Sequence, residues 1–381
     1  MPESIPFNRI FKGAEEQEAV ARVLSGEHWH GNGAVSSEAE AVLSQWLGAR
    51  HVFLSTSCTH ALEMAMMALD IGPGDQVIMP SFTFVSTANA VLMRGGTPVF
   101  ADICSHDLNL DANDVARKMS PAVKAIVPVH YAGISVDFDA LRQAAGPDVA
   151  MVEDAAQAIG SRWNGRALGT IGDIGCLSFH DTKNITCGEG GAFLTNNNEL
   201  AQRAECMREK GTNRSAFLRG ETDKYTWVSQ GSSYIPSELL AAVLLVQLSR
   251  REEVFRRRKY VWETYAELLQ EAEDRGWIAL PQIPSYATGN YHLFYLRVHR
   301  SSDRAPLLKA FRQNGIEASF HYIPLHNAPF SRTLPRPMEP LPVTEKMAAT
   351  IIRLPVYPDL ADQIEEVAGR VTTVLKQYYT R

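Results

Sequence analysis

His51-Val-Phe-Leu-Ser-Thr-Ser-Cys-Thr-His-Ala-Leu-Glu-Met-Ala-Met-Met-Ala-Leu-Asp-Ile-Gly-Pro-Gly-Asp-Gln-Val-Ile-Met79 carries the organisation of the first half of the chain in one stretch. Residues 51–55 form a short β-rich run, the polar turn Ser55-Thr-Ser-Cys-Thr-His60 follows, and 59–69 is an apolar helical stretch. Ile71-Gly-Pro-Gly-Asp75 then stops the helix, because Gly and Pro suit the turn past a helix end, and a second β-rich run stands at 76–79. Outward from there, β-rich runs recur at 98–101, 124–129, 150–153, 175–179 and 191–195, with helical patterns at about 84–94 and 137–145 between them. Strands joined by helical crossovers lie parallel. The expected fold class is α/β, with a mainly parallel sheet in the large domain.

Past Gly211 the alternation lapses. Residues 211–234 form a polar, aromatic loop too long for a mere connector, which marks it as functional. One long helix is predicted from about 237 to 272, then strands at 291–298 and 317–321 and a terminal helix from about Ala361. The division that follows is a large α/β domain with an N-terminal arm over 1–250 and a smaller α+β domain over 251–381, joined through the long helix. The length of 381 residues favours two such units over a single core.

Composition narrows the function classes. With 45% hydrophobic and 21% charged residues the chain reads as an ordinary soluble protein. A net charge of -6 argues against a nucleic-acid footprint, and the basic run Arg256-Arg-Arg-Lys259 follows Glu252 and Glu253 on a helix, which reads as a solvated face. The five cysteines (58, 104, 176, 187 and 206) make no CxxC pair and no zinc spacing, and their odd number disfavours a disulfide framework, so a reducing cytoplasm is expected. The N-terminal residues lack an apolar signal core, and no apolar run of about 18 residues is present, so neither secretion nor a membrane span is expected. His321 and His326 have no third ligand nearby in sequence, and no metal is expected.

The chemistry centres on Ser178-Phe-His-Asp-Thr-Lys183-Asn-Ile-Thr-Cys-Gly-Glu-Gly-Gly191, a Gly-flanked polar turn between two apolar strands. A lysine placed there reaches a bound aldehyde, and Lys183 is read as the Schiff-base lysine of pyridoxal 5'-phosphate (PLP). Such a cofactor also requires a carboxylate for its pyridine nitrogen, a phosphate cup and a ring partner. Asp154, at the carboxyl end of a buried strand, suits the nitrogen, and Gln157 suits the ring hydroxyl. The turn Ser55–His60, opening a helix, suits the phosphate, and Ser178 adds a hydroxyl. Phe84 is the chosen stacking ring, with Phe82 as its substitute. Singly, each has an ordinary structural reading: a surface lysine, a strand-end cap, a surface amide, an N-cap, core aromatics. Their joint occurrence in this chain order outweighs those readings.

Several further stretches bear on the same question: Gly72 to Asn89, Val127-Pro-Val-His-Tyr-Ala-Gly133, Glu153-Asp-Ala-Ala-Gln157, Ser178 to Asn184 and Phe320-His-Tyr-Ile-Pro-Leu-His326. With them the sequence resembles, over nearly its whole length, the DegT/DnrJ/EryC1/StrS sugar aminotransferases. These are fold-type I PLP-dependent transferases related to aspartate aminotransferase. The segment Arg208 to Ser215, with Arg219-Gly220 and Asp223-Lys-Tyr-Thr-Trp227, resembles the subgroup that aminates C4 of dTDP-4-keto-6-deoxy-D-glucose, giving dTDP-4-amino-4,6-dideoxygalactose for surface polysaccharide.

The resemblance implies Lys183 on the aldehyde, Asp154 at the pyridine nitrogen, Gln157 at the ring hydroxyl, and Ser57, Cys58, Thr59 and Ser178 around the phosphate. For Cys58 the backbone N–H is the expected contributor. It further implies L-glutamate as amino donor and a homodimer with sites at the interface, where Asn213, Arg214, Tyr322 and His326 approach the nucleotide-sugar. Many members carry an asparagine that reaches the partner's cofactor phosphate from the segment where Ser233 and Ile235 stand here. Alternatives within the family are amination at C3 or of a UDP- or GDP-linked sugar, and a sugar dehydratase, which has histidine in place of Lys183. From another class, a non-catalytic PLP-binding regulator is weighed against by the complete catalytic set.

Overall fold

A computed structural model describes residues 4–334 and 338–380; positions 1–3, 335–337 and 381, which include the outer limits of the two expected domains, lie outside the described residues. The first nine strands are β1 (His51–Ser55), β2 (Gln76–Pro80), β3 (Thr97–Ala101), β4 (Val123–Ile126), β5 (Ala150–Asp154), β6 (Arg162–Trp163), β7 (Arg166–Ala167), β8 (Ile174–Ser178) and β9 (Gly191–Thr195). Seven of them form one sheet in the order β1-β9-β8-β5-β4-β2-β3, while β6 and β7 make a small hairpin beside it. The pairs from β3 through β8 are parallel, and β9 runs antiparallel to both β8 and β1. The exception has a local cause. Residues 179–190 link β8 to β9 without a helix, and a crossover is what a parallel neighbour would need. That link is the turn carrying Lys183.

Side chains alternate between two cores, one on each face of the sheet. Ile78, Leu177 and Leu194 face Leu43 and Leu244, whereas their neighbours Met79, Cys176 and Phe193 face Leu62 and Met64. Burial on both faces explains the unbroken apolar runs of the strands. Helix Cys58–Ala68, crossing behind β9, is apolar nearly all round because it lies inside the protein.

The C-terminal layer has its own antiparallel sheet, β10 (Ile278–Ala279), β12 (Phe294–Val298) and β13 (Ile351–Leu354), while β11 (Ala287–Thr288) joins the β6–β7 hairpin. Helices Arg251–Asp274, Ser301–Gln313 and Ile364–Tyr379 close a separate core around Tyr265, Phe294 and Phe311. Ile5 hydrogen-bonds to Gly315 and Glu317 and packs in that same core, so the N-terminal arm is held by the C-terminal layer.

Four elements differ from expectation. The helix expected over 237–272 breaks at Arg250 into Glu238–Ser249 and Arg251–Asp274, and the Arg250 side chain turns back to Glu15 and Glu16. Residues 317–321 form no strand and keep only a bridge between Ser319 and Arg353. The strand expected from 291 begins at Phe294, because Tyr291 adopts a left-handed backbone (φ 57°). The 211–234 loop contains a short helix, Arg214–Leu218. In the basic run, Arg258 is not solvated: it is buried and donates to the carbonyls of Tyr291 and His292, holding that turn.

Asp102, just past β3, fastens the two layers. Its carboxylate accepts from Val343 N–H, Thr344 N–H and Thr344 Oγ1 at 2.7–3.0 Å, capping helix Pro342–Thr350 from a distance. Asp102→Ala is expected to lower stability by about 2–3 kcal/mol, given the loss of charge-assisted bonds at a buried cap. Urea unfolding followed by circular dichroism measures it.

Candidate active site

A cleft of about 390 Å³ opens at the carboxyl ends of β5 and β8, where open α/β sheets bind ligands, and the C-terminal layer forms its other wall. Ser57, Cys58, Thr59, Phe84, Asp154 and Gln157 line it together with Ser178, Lys183 and Tyr322. Nine predicted positions scattered over 265 residues of chain, from 57 to 322, thus meet in one cavity.

The turn that presents Lys183 is closed by its own backbone: Lys183 N–H donates to His180 O at 2.9 Å and Cys187 N–H to Phe179 O at 2.9 Å. The next residue, Asn184, is bolted to the other wall, donating to Asn290 O at 2.8 Å and accepting from His292 Nδ1 at 2.8 Å. Among the described residues nothing hydrogen-bonds to Lys183 Nζ. Burial holds its titration below the ordinary lysine range, with the negative charge of Asp154 pulling in the opposite sense.

Asp154 ends β5. Its Oδ2 accepts from Thr87 Oγ1 at 2.8 Å and its Oδ1 from Ala156 N–H at 3.2 Å. Burial raises its titration, and those two hydrogen bonds oppose the rise. The preceding Glu153 faces away and is fully occupied by His130 and the N–H groups of Gly169, Ile171 and Gly172. Period-two alternation therefore gives one carboxylate to the cleft and one to the scaffold.

Ser57 is the N-cap of helix Cys58–Ala68, accepting from His60 N–H at 3.1 Å. The capping and anion-binding readings coexist, since the cap leaves the first-turn N–H groups of Cys58 and Thr59 without intrahelical partners. Burial pushes the Cys58 thiol up and keeps it protonated. Gly191 lets β9 pass this helix start: a Cβ there would lie 2.4 Å from Cys58 N and from Ser57 C. Gln157 accepts from Ala132 N–H at 2.7 Å and donates to Tyr322 OH at 3.1 Å, which fixes its amide at the cleft wall. Phe84 is 59% exposed and free to cover a ligand, whereas its substitute Phe82 is buried against Tyr131 and Tyr322.

Three predicted substrate residues do not line this cleft within the single chain. Asn213 is tied to Lys224 and Thr226, and Arg214 lies beside a separate groove between helices. His326 is buried between Ser81 and Glu345, bonded at 2.6 and 3.1 Å. Conversely, the sequence reading missed Arg353, His292 and His321, all at the cleft wall. Arg353 is buried on β13 with no carboxylate partner among the described residues: its guanidinium meets His321 Nε2, stacks 4.5 Å from Phe7, and leaves Nε unpaired. Burial depresses His321 to about 2, so it is neutral. The signal for Arg353 was a charge inside the apolar run Ile351-Ile-Arg-Leu354, which is rare unless paired or functional.

Residues 11–372 match the family model of the DegT/DnrJ/EryC1/StrS aminotransferase family. The chain belongs to this family. Its members are PLP-dependent sugar aminotransferases. Among solved structures the aminotransferase is similar to Spr1654 of Streptococcus pneumoniae, a candidate sugar aminotransferase determined in its PLP form (25% identity, TM-score 0.90, 98% of this chain and 99% of that one). It is similar to the aminotransferase TlmJ of Streptoalloteichus hindustanus (32%, TM-score 0.89, 98% and 99%). A third likeness is to DesV of S. venezuelae, solved with a ketimine intermediate (31%, TM-score 0.87, 100% and 99%).

The residues present fit the family's cofactor. The cleft holds an unpartnered lysine, a carboxylate anchored on two sides, and a helix start against which a Cβ at position 191 would collide. Gly191→Ala is expected to displace that helix start and weaken PLP binding at least about tenfold, the loss of one or two charge-assisted N–H contacts. Equilibrium dialysis of PLP against the variant measures it.

Proposed function

We propose that this aminotransferase moves the amino group of L-glutamate onto C4 of a nucleotide-linked 4-keto-6-deoxy sugar. The acceptor is dTDP-4-keto-6-deoxy-D-glucose and the product dTDP-4-amino-4,6-dideoxy-D-galactose, made in the cytoplasm for surface polysaccharide. The observation that carries the reading is a pair of basic groups in one cleft, half-buried Lys183 and buried Arg353, neither engaged by a carboxylate among the described residues. An amine whose titration burial shifts downward suits attack on a carbonyl, and a guanidinium with no carboxylate partner suits the carboxylate of an amino-acid donor. The choice of sugar is supported by the resemblance of segment 208–227 to the C4-aminating subgroup.

When bound, PLP supplies the electron sink for the carbanion at the substrate carbon. Asp154 would hold the proton at the pyridine nitrogen, and Gln157, locked by Ala132 and Tyr322, would orient the ring hydroxyl. The first-turn N–H groups at Cys58 and Thr59, with Ser57 and Ser178, bind the phosphate. Phe84 covers the ring face and excludes water. Lys183 would serve as the base that takes the proton from the donor α-carbon, and as the acid that delivers a proton to the sugar carbon in the second half. Burial makes its free amine available at lower pH than on an exposed lysine, so the base form persists toward neutrality.

A homodimer with sites at its interface belongs to the same reading. Trp227, 78% exposed, stands with Phe217, Leu218, Tyr225 and Val228 on the loop that also carries Asn213 and Arg214. A second subunit covering these side chains would bring Asn213 and Arg214 to the partner's cleft, which accounts for their distance from their own. The same reading divides the chain at Arg250, supported by the C-terminal sheet β10-β12-β13 and the core that its helices close around it. Among the described residues no helix is long and apolar enough to cross a membrane.

Borohydride treatment of the PLP-loaded protein is expected to leave the phosphopyridoxyl group on Lys183 in peptide mass spectra, and Lys183→Ala to lose both the label and the visible absorbance band. Arg353→Leu is expected to raise the KM for L-glutamate about a hundredfold while the KM for the sugar changes little, because the bidentate carboxylate contact belongs to the donor alone. Incubation with glutamate and a panel of nucleotide-linked keto-sugars, with NMR of the product, identifies sugar and aminated carbon together. Turnover of a C3-keto or UDP-linked sugar in preference would replace the proposed substrate.

A further inference from the structure

Asp154 and Lys183 face the same cleft and each shifts the other's titration, yet no ion pair joins them. Left free, opposite charges sharing a partly desolvated cleft attract each other more strongly than they would in water. We propose that Thr87 is a positioning residue that keeps the Asp154 carboxylate from pairing with Lys183 before the cofactor binds and holds it aimed at the pyridine nitrogen. This rests on the reading of Asp154 given above.

The geometry is specific. The Asp154 carboxylate is held by donors from two different elements, Thr87 in the first turn of helix Val85–Leu92 and Ala156 N–H in the segment after β5, at 2.8 and 3.2 Å. Two bonds from different directions fix both torsions of the aspartate side chain. Thr87 is 1% exposed, so no solvent replaces its hydroxyl. A hydroxyl has one hydrogen, and Thr87 donates it to the carboxylate. The 3.0 Å contact between Thr83 Oγ1 and Thr87 Oγ1 therefore has Thr83 as donor. The hydrogens run in one sense, Thr83 to Thr87 to Asp154, and a chain of that polarity strengthens the charge-assisted bond at its end. Thr83 and Thr87 stand four residues apart on either side of Phe84, so the strand-to-helix turn that exposes the aromatic also delivers both hydroxyls.

Valine at position 87 keeps the shape and removes the hydrogen. The carboxylate then retains only Ala156 and can swing toward Lys183. The other groups facing Asp154 do not substitute: Cys58, Cys176 and Tyr322 are kept neutral by burial, and His130 is committed to Glu153. Arg353 is the remaining charge facing Lys183, and it repels the ammonium form. A new Asp154–Lys183 pair stabilises the ammonium, so the free amine forms at higher pH and attacks the PLP aldehyde more slowly.

The test mixes PLP with apoprotein of the full chain as wild type, Thr87→Val, Thr87→Ser and Asp154→Asn over a pH series. It follows covalent attachment to Lys183 by the visible band and borohydride trapping, retention by equilibrium dialysis, and the unfolding midpoint. Thr87→Val is expected to attach PLP about tenfold more slowly near neutrality, with its pH midpoint displaced upward, and to retain PLP about tenfold less well, the size of one charge-assisted hydrogen bond. Thr87→Ser is expected to recover to within about threefold, since it restores the donor. Should the valine variant not fold, Thr87→Ala carries the same comparison. A valine or alanine variant with the wild-type rate, midpoint and retention would overturn the proposal, provided Asp154→Asn loses PLP. An Asp154→Asn protein that retains PLP like the wild type would instead overturn the role of Asp154 itself.

Discussion

Opposite charges buried together collapse into a pair unless something else claims them. In this protein Asp154 and Lys183 face one cleft without forming an ion pair. The aspartate is claimed by Thr87 and Ala156, and the lysine turn is claimed by its own hydrogen bonds and by Asn184. What results is a carboxylate with one direction left to it and an amine with no partner. Both are the states that PLP chemistry requires of its protein, and both are unfavourable for an empty cavity.

The C-terminal layer supplies much of that restraint. Asn184 reaches Asn290 and His292, Asn290 in turn donates to the carbonyls of Gln157 and Ile159, and Arg258 holds the left-handed turn at Tyr291 from behind. The lysine turn and Gln157 are thus locked to the same short segment. Asp102 and Ile5 fasten the layers elsewhere, at the cap of helix Pro342–Thr350 and along Gly315–Glu317. The cleft is a seam between two cores, and its dimensions follow from these fastenings rather than from either core alone.

Local chemistry was legible wherever a residue's role depends on its immediate neighbours. The glycines around Lys183, the strand end at Asp154 and the helix start at Ser57 declare their backbone settings in a few residues each, and the structure places all three at one cavity. The long helix breaks at Arg250, whose side chain pairs with Glu15 and Glu16, more than two hundred residues away and out of reach of any local pattern. The strand expected at 317–321 is reduced to one bridge, between Ser319 and Arg353 at the free edge of β13. His326 shares a motif with Tyr322, yet one side chain faces the cleft and the other packs on Ser81. A motif records proximity along the chain, and the direction of each side chain is set by what packs against it.

By itself the sequence determined the α/β alternation, a lysine in a glycine-flanked turn, an aspartate at a strand end, and a polar turn that opens a helix. Each of these follows from short-range steric and hydrogen-bonding preferences that any chain with those residues obeys. Only the tertiary structure decided that β9 returns antiparallel, that Arg353 and two neutral histidines complete the cleft wall, and that Thr87 donates to the aspartate. Those facts depend on which distant elements share a cavity once the two cores have closed. Burial and long-range packing, which no local pattern encodes, turn ordinary side chains there into unpaired charges and committed donors.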